Sequence, residues 1–316
     1  MTHWIHHLDP VAVPLHGDFG IRWYGLAYAA AFLIGGWLLR AYHRHGRSPL
    51  DAARQSTLLL AVMIGVLAGG RLGYIVLYEP ELLRQPGNLF AIWRGGMASH
   101  GGFVGVILAC LWAAHTMKVD KFHLGDVLVT LAPPGFLLGR LANFINGELW
   151  GRISDVSWAM KFPTELATWP TSRLVKLGDA LAASGVTFPP GTLDWTQVVV
   201  QRIQAGDEPL RQLVGGLLPP RHPSQLYAAG LEGVVLLAWS QWRLWRTDAL
   251  TRPGRLAGEF LLLYAVLRIF DEQFREPDAA LILGVSRGIF YSLFLAAAGL
   301  VLIARSRLPN PAERPA

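Results

Sequence analysis

Seven runs of mostly apolar residues, each near the length of a membrane-spanning helix, constrain this chain more than any other feature. A helix needs about 20 mostly apolar residues to cross the hydrocarbon core of a bilayer. The composition agrees, because only 16% of the residues are charged, whereas a soluble domain usually carries about a quarter. The sequence therefore predicts an all-α polytopic membrane protein with seven transmembrane helices. The predicted spans are residues 21–39, 57–78, 97–117, 127–145, 226–242, 256–274 and 289–304.

The distribution of basic residues predicts the orientation of the chain. Lysine and arginine are concentrated at residues 40–54, 118–121, 243–255 and 305–314, and the loops that alternate with these segments carry fewer. Because short cytoplasmic loops carry the excess of positive charge, we expect the C-terminus in the cytoplasm and the N-terminus outside. The first 20 residues contain Pro, His and Asp, unlike a cleavable signal peptide. We therefore expect the first span to be the insertion signal.

A long segment between the fourth and fifth spans, residues 148–222, is too polar and too rich in proline to cross a membrane. We expect it to form a small external head domain, in which residues 171–183 have the pattern of a short amphipathic helix. The expected organisation is an external N-terminal segment (1–20), four transmembrane helices (21–147), the head domain (148–222), three transmembrane helices (223–305) and a cytoplasmic tail (306–316).

Composition and motifs exclude several functional classes. The net charge is +6, but the basic residues lie in short clusters, which argues against a nucleic-acid partner. Cys110 is the only cysteine, so the chain cannot form a disulfide or a cysteine-based zinc site. Thiol chemistry would need a thiol from another molecule. No predicted span contains lysine, and no His-Glu-x-x-His, Gly-x-Ser-x-Gly or Walker motif occurs, which argues against intramembrane zinc proteases, serine hydrolases and ATP-driven pumps.

Three arginines, Arg71, Arg140 and Arg268, lie inside predicted spans and away from their ends. Each costs about 2.5 to 3.5 kcal/mol near mid-membrane and needs a partner, a cavity or an anionic ligand. Because residues three, four and seven apart share a helix face, each arginine has polar neighbours on its face. These faces are Arg71, Tyr74 and Tyr78; Arg140, Asn143 and Gly147, with Asn146 and Glu148 just beyond; and Tyr264, Arg268, Glu272 and Arg275.

The three polar faces are expected to line one wet cavity that opens outward. Guanidinium groups match phosphate or carboxylate with paired hydrogen bonds, and the abundant phosphate in a membrane is a lipid head group. The residues therefore indicate a site for a phosphorylated amphiphile. In the alternative interpretation, the arginines pair with Asp271, Glu272 or Glu148 and only lock helices together.

His100 is a candidate general base at the outer end of the third span, because a histidine pKa lies near neutrality. The alternative is a structural histidine that binds a neighbouring helix. Gly101 and Gly102 follow it and allow close approach of a backbone or a ligand. Glycines four residues apart also predict close helix packing. They form two sets, Gly65, Gly69 and Gly73, and Gly135 and Gly139.

The segment at residues 139–152, GRLANFINGELWGR, closely resembles the signature of bacterial prolipoprotein diacylglyceryl transferases. The similarity covers nearly the whole chain in the order of that family. Its other motifs are Trp23-Tyr24-Gly25, the GGRLGY segment at 69–74, His100-Gly101-Gly102, the RHPSQLY segment at 221–227, Tyr264 with Arg268, and the FREPD segment at 274–278. Two departures are Ala142, where many members have glycine, and residues 187–218, which match poorly.

The resemblance implies a reaction, the first step of bacterial lipoprotein maturation. Phosphatidylglycerol donates its diacylglyceryl group to the lipobox cysteine thiol of a prolipoprotein, which forms a thioether and releases glycerol phosphate. No metal or cofactor is required. The resemblance also implies the bacterial inner membrane, a periplasmic N-terminus and head domain, and a cytoplasmic C-terminus. The family residues associated with activity match Tyr24, His100, Arg140, Asn143, Gly151, Tyr264 and Arg268.

These residues suggest a mechanism. Arg140 and Arg268 hold the departing phosphate, Asn143 orients a lipid oxygen, and Tyr24 and Tyr264 donate hydrogen bonds. His100 accepts the thiol proton, with Glu148 or Glu272 as alternatives. The further candidates for substrate binding are Arg71, Asn146, Gly151 and Arg275. Two other hypotheses stay open at this point: a phospholipid transporter or flippase with an arginine-lined cavity, and a structural membrane protein.

Overall fold

The computed structural model describes residues 3–16, 19–84, 87, 96–188, 194–277 and 280–306. Asp278, the last residue of the FREPD motif, and nearly all of the predicted tail lie outside these ranges. The described residues are mostly helical. The helices are α1 (Trp23–Arg44), α2 (Ala52–Tyr78), α3 (Ser99–Met117), α4 (Lys121–Asn146), α5 (Thr171–Ala183), α6 (Trp195–Gln204), α7 (Glu208–Leu217), α8 (Ser224–Ala228), α9 (Leu236–Arg246), α10 (Arg255–Asp271) and α11 (Arg287–Arg305).

Five of the described helices are long and apolar enough to cross a membrane: Trp23–Arg44, Ala52–Tyr78, His100–Met117, Lys121–Asn146 and Arg287–Arg305. They correspond to the first four predicted spans and the seventh. Many of their large apolar side chains are exposed, including Leu33, Trp37, Ile64, Ile107 and Phe294. Apolar surface of this extent is rare on soluble monomers and suits contact with lipid. The chain is therefore a polytopic membrane protein.

The predicted fifth and sixth spans differ from single long α-helices. Residues 224–246 are helical throughout, but a π-helix, Ala229–Val235, separates α8 from α9. The sixth prediction extends to residue 274, whereas α10 ends at Asp271 after 17 residues. That length corresponds to about 25 Å, shorter than a hydrocarbon core of about 30 Å. These two spans remain predictions.

The chain divides into two compact units. The first unit comprises Met1–Ala31, Pro133–Leu236 and Leu263–Ala296, and the second comprises Phe32–Ala132, Leu237–Leu262 and Ala297–Ala316.

In the first unit, residues 163–188 and 194–218 build a core from short helices. The predicted amphipathic helix at residues 171–183 is confirmed as α5, and Gly185 follows it with a φ of +74°. Asp194 and Asp207 cap α6 and α7 by accepting hydrogen bonds from backbone N–H groups, as N-cap residues do. The core is formed by Leu166, Trp169, Leu177, Leu181, Val199, Ile203, Leu210, Val214 and Leu218.

The N-terminal segment is attached to the same unit. Strand β1 (Trp4–Ile5) pairs in parallel with β4 (Met160–Lys161), and β2 (Val11–His16) pairs with β3 (Phe19–Arg22) in an antiparallel hairpin. His6 is 1% exposed, and its Nε2 donates to the carbonyl oxygen of Phe144 at 2.7 Å. Burial lowers the pKa of His6 to about 4. The segment therefore caps the carboxyl end of α4 with a neutral imidazole.

In the second unit, glycines hold α2 against α3. A Cβ atom on Gly105 would overlap the carbonyl oxygen of Gly65, and one on Gly101 would overlap that of Gly69. The predicted close packing of the first glycine set is thus confirmed, with Gly101 and Gly105 of α3 as its partners. The prediction for the second set is wrong. In the described structure, the nearest atom to a Cβ on Gly135 is Ala31 Cβ at 3.8 Å, and a Cβ on Gly139 would meet nothing within 4 Å.

Candidate active site

Two of the three arginines singled out in the sequence meet on one buried carboxylate. Arg140 in α4 donates from Nε and Nη2 to Glu232 Oε2, at 3.0 and 2.8 Å. Arg268 in α10 donates from Nη1 to the other oxygen, Oε1, at 3.3 Å. The Glu232 side chain is 1% exposed. All three residues belong to the first unit, so this carboxylate joins α4, the π-helix and α10.

Glycine and the π-helix place Glu232. A π-helix widens the turn by one residue and is frequent at functional sites. A Cβ on the neighbouring Gly233 would lie 2.6 Å from Leu137 Cβ and 2.7 Å from Leu137 Cα. Only glycine therefore allows this segment to lie so close to α4. Because Leu137 is three residues before Arg140, the contact brings Glu232 to the arginine.

Arg268 also has two acidic partners at the end of its own helix. Its Nη1 lies 3.0 Å from Asp271 Oδ2 and its Nη2 lies 2.7 Å from Glu272 Oε2. Both carboxylates are buried. The expected pairing of an arginine with Asp271 and Glu272 is confirmed for Arg268. Three carboxylates thus surround two guanidinium groups.

Arg140 has fewer partners than Arg268. Its Nη1 has no hydrogen-bond partner among the described residues, and 19% of its side chain is exposed, compared with 11% for Arg268. Tyr264 lies one turn before Arg268 on α10. Its ring lies 5.4 Å from that of Phe136. Arg140 therefore keeps one terminal nitrogen, Nη1, for a ligand, whereas both terminal nitrogens of Arg268 are already paired with carboxylates.

A second polar group adjoins the first at the end of α4. Asn143 Nδ2 donates to Glu148 Oε1 at 2.7 Å and lies 3.3 Å from the Tyr24 hydroxyl. Asn146 Nδ2 donates to the same oxygen of Glu148 at 3.3 Å. The expected alternative in which Glu148 pairs with an arginine is not found among the described ion pairs. Because Arg140 and Asn143 are three residues apart on α4, the two groups share a helix face.

The helix end itself places Glu148. Gly147 has a φ of +68°, its N–H donates to Phe144, and the N–H of Glu148 donates to Asn143. These are the two hydrogen bonds of a Schellman motif, in which glycine ends the helix in a left-handed conformation. The chain therefore turns back and returns the Glu148 side chain to the helix that it has just left.

Gly151 lies where its own backbone packs against the backbone at His222 and at Phe274. Its N–H donates to His222 O at 2.9 Å, and a Cβ there would lie 2.5 Å from that oxygen and 2.6 Å from Phe274 O. Gly151 also forms an antiparallel bridge with Arg275. The predicted helical stripe from Tyr264 to Arg275 is therefore wrong beyond the end of α10. The helix stops at Asp271, and Arg275 is extended beside Gly151.

Arg71 and His100 belong to the second unit. Arg71 Nη1 donates to Gly96 O at 3.1 Å, and the guanidinium carbon lies 5.8 Å from the Tyr74 ring centroid. His100 is exposed in the first turn of α3. The convergence of all three arginine faces on one cavity stays a prediction.

Sequence reasoning missed Glu232, the residue that organises the site. The signal was available, because an acidic residue inside an apolar run is as costly as an arginine and equally in need of a partner. Only basic residues were tested in this way, and Glu232 lies alone in the predicted fifth span.

Charge-paired arginines inside apolar helices, bound to a buried carboxylate, define this protein as a polytopic membrane protein with a polar site within its helices. The profile of the prolipoprotein diacylglyceryl transferase family matches residues 10–305. A phosphatidylglycerol–prolipoprotein diacylglyceryl transferase of Bdellovibrio bacteriovorus is 36% identical over 95% of this chain and 93% of its own length. One of Rhodospirillum rubrum is 39% identical over 98% of this chain and 96% of its own length. The chain belongs to the prolipoprotein diacylglyceryl transferase family.

Proposed function

We propose that this protein transfers the diacylglyceryl group of phosphatidylglycerol to the lipobox cysteine of a prolipoprotein. The observation that carries the proposal is the meeting of Arg140 and Arg268 on Glu232, in a chain whose relatives are named for these two substrates. The cysteine sulfur attacks the glycerol carbon that bears the phosphate, and the carbon–oxygen bond breaks. Glycerol phosphate leaves with the bonding electrons, and the sulfur retains the diacylglyceryl group as a thioether.

In this proposal, Arg140 binds the lipid phosphate through its remaining donor, Nη1. Negative charge grows on the phosphate as it leaves, and a guanidinium in a low-dielectric site stabilises that charge more strongly than it would in water. Arg268, held by Asp271 and Glu272, supplies the second positive charge. Asn143 and Tyr24 orient a lipid oxygen, Tyr264 donates a hydrogen bond, and Arg71, Asn146 and Arg275 are further candidates for lipid contacts.

The thiol must lose its proton, and we propose His100 as the acceptor. Glu148 and Glu272 are the alternatives. If His100 is the base, His100→Gln reduces the transfer rate severely and leaves lipid binding intact. Retained transfer in His100→Gln together with its loss in Glu148→Gln would assign the base to Glu148.

We further propose the cellular arrangement. The chain crosses the bacterial inner membrane seven times, with residues 1–20 and the head domain at residues 148–222 on the periplasmic side and residues 306–316 in the cytoplasm. The five helices of sufficient length and the uneven distribution of basic residues support this arrangement.

Mass spectrometry tests the reaction. Purified protein is incubated with phosphatidylglycerol and a lipobox-cysteine peptide, and the gain of one diacylglyceryl group is measured together with free glycerol phosphate. We expect both products with the wild type, neither with a Cys→Ser peptide, and a large loss with Arg140→Ala. Arg202→Ala is the matched control, because Arg202 also pairs with a carboxylate, Asp207, but lies in the head domain.

Thermal unfolding of each variant separates a lost site from a lost fold. An unmodified peptide, with folded protein that moves phosphatidylglycerol between leaflets, would replace the transferase with a lipid transporter. Arg140→Ala protein that fails to fold would instead support arginines that only lock helices together.

A further inference from the structure

A cleft of about 780 Å³ with a mixed polar and apolar lining lies in the first unit, outside the arginine cluster. Its walls are the N-terminal β2–β3 hairpin, the end of α4 and one face of α6. Sites of this volume, between about 300 and 1,000 Å³, commonly hold small molecules or short peptide segments. The proposed chemistry at Arg140 does not use it.

Helix α6 presents three glutamine side chains to this cleft: Gln197, Gln201 and Gln204. The opposite face of α6 is buried in the head-domain core through Val199 and Ile203. Among the described residues, no side chain or backbone group forms a hydrogen bond with any of the three side-chain amides. Each amide offers both donors and an acceptor, which is the combination that a peptide backbone requires.

The spacing of these amides suits an extended chain. Gln197 and Gln201 are about 6 Å apart along the helix axis at about 1.5 Å per residue. Alternate residues of an extended peptide are about 6.6 Å apart and turn their N–H and C=O groups to the same edge. Two or three amides on α6 can therefore pair with backbone groups of alternate peptide residues.

The cleft meets the polar group beside Arg140. Asn146 lines the cleft, and its Nδ2 donates to the same Glu148 oxygen that Asn143 binds. Asn146 Oδ1 is buried and has no hydrogen-bond partner in the described structure. A peptide that leaves the reaction centre on its polar side would reach the cleft at Asn146.

The geometry points to a binding site for the polar segment that follows the modified cysteine of the protein substrate, held in extended form by the amides of α6. This inference rests on the proposed function, because it takes the prolipoprotein as the ligand. The amides bind the backbone, so the cleft selects an extended polar chain and not one particular sequence.

Two synthetic peptides test the inference with the full-length protein. Both contain the lipobox cysteine. The long peptide continues with six alternating serine and asparagine residues, whereas the short peptide ends as an amide at the cysteine. The test variant is Gln197→Ala/Gln201→Ala/Gln204→Ala, and the single variant Gln201→Arg introduces a bulky cation into the cleft. Gln212→Ala is the matched control, because Gln212 is exposed in α7 and binds Glu208.

We expect a lower KM for the long peptide than for the short one in the wild type. The triple variant should raise the KM of the long peptide about 10- to 100-fold, as the loss of two or three hydrogen bonds predicts, with kcat unchanged. The KM of the short peptide and the behaviour of Gln212→Ala should not change. N-methylation of alternate backbone nitrogens in the long peptide should have the same effect on the wild type as the triple substitution.

Equal KM values for the two peptides, or an unchanged KM in both cleft variants, would overturn the cleft and leave the transferase intact. Fluorescence anisotropy of a labelled Cys→Ser long peptide measures binding without transfer. Binding that depends on the three glutamines, without any transfer to the cysteine peptide, would sustain the cleft as a peptide site and overturn the reaction.

Discussion

Substitution of Glu232 by glutamine tests the central arrangement most directly. Glutamine has nearly the same volume, so the packing against α4 is kept while one negative charge is removed. Arg140 loses its only carboxylate partner among the described residues, whereas Arg268 keeps Asp271 and Glu272. The variant therefore leaves two mostly enclosed guanidinium groups, 19% and 11% exposed, with one negative charge fewer to compensate them.

The expected magnitude follows from burial. Removing one partner of a buried ion pair costs about 3 to 5 kcal/mol, because the other charge is left uncompensated. Glu259 provides a matched control, since it also bridges two arginines, Arg243 and Arg255, but is 20% exposed. Water reaches Glu259 but not Glu232 and partly compensates the charges that remain, so Glu259→Gln should be milder.

Thermal unfolding in detergent micelles, with and without phosphatidylglycerol, measures both effects. Glu232→Gln should lower the unfolding temperature more than Glu259→Gln. Added phosphatidylglycerol should restore more stability to Glu232→Gln than to the wild type, because the lipid phosphate replaces the missing charge and a ligand that binds only the folded state stabilises it. Equal losses in the two variants, or equal gains with lipid, would refute the reasoning.

Two further predictions concern the scaffold. Because burial holds the pKa of His6 at about 4, below the unfolded value of about 6.5, the unfolded chain binds a proton that the folded protein does not. The free energy of unfolding should therefore fall from pH 6.5 towards pH 4 by up to about 1.4 kcal/mol per pH unit. A His6→Gln variant whose stability, measured by thermal unfolding, falls as steeply with pH as that of the wild type would contradict this. Gly105→Ala should separate α2 from α3 and cost about 1 to 3 kcal/mol, whereas Gly102→Ala, whose Cβ would lie 3.9 Å from its nearest neighbour, should unfold at nearly the wild-type temperature.

The helices made of uninterrupted apolar residues were predictable from the sequence. The helices that carry the site were predicted less accurately. The runs that become α1 to α4 and α11 have few charges, and hydropathy alone identified them. The fifth and sixth predicted spans contain Glu232, Arg268 and Asp271. Their backbone departs from a plain α-helix where those residues sit, through a π-helix and an early helix end.

Ion-pair partners within one helix could be predicted from their spacing along the sequence. Ion-pair partners on different helices could not. Arg268 binds Asp271 and Glu272, three and four residues later, as helix geometry requires. Arg140 binds Glu232, 92 residues away, and no periodicity connects them. The spacing rule failed at Arg275 for a related reason. It assumes that the helix continues, and no proline or glycine in residues 272–275 signals the stop after Asp271.

The ion pairs also bear on whether the arginines have a structural or a functional role. Arg140 and Arg268 have different partners, so the two residues are not equivalent. If Arg268 were lost, Asp271 and Glu272 would lose the guanidinium that they bind, and Glu232 would keep only Arg140, so Arg268 stabilises more of the buried carboxylates. If Arg140 were lost, Glu232 would still be paired with Arg268. Arg140 also keeps its terminal nitrogen Nη1 unpaired among the described residues and has the larger exposure. If Arg140 binds the lipid phosphate as proposed, locking the helices falls mainly to Arg268, and Glu232 holds the Arg140 guanidinium in place.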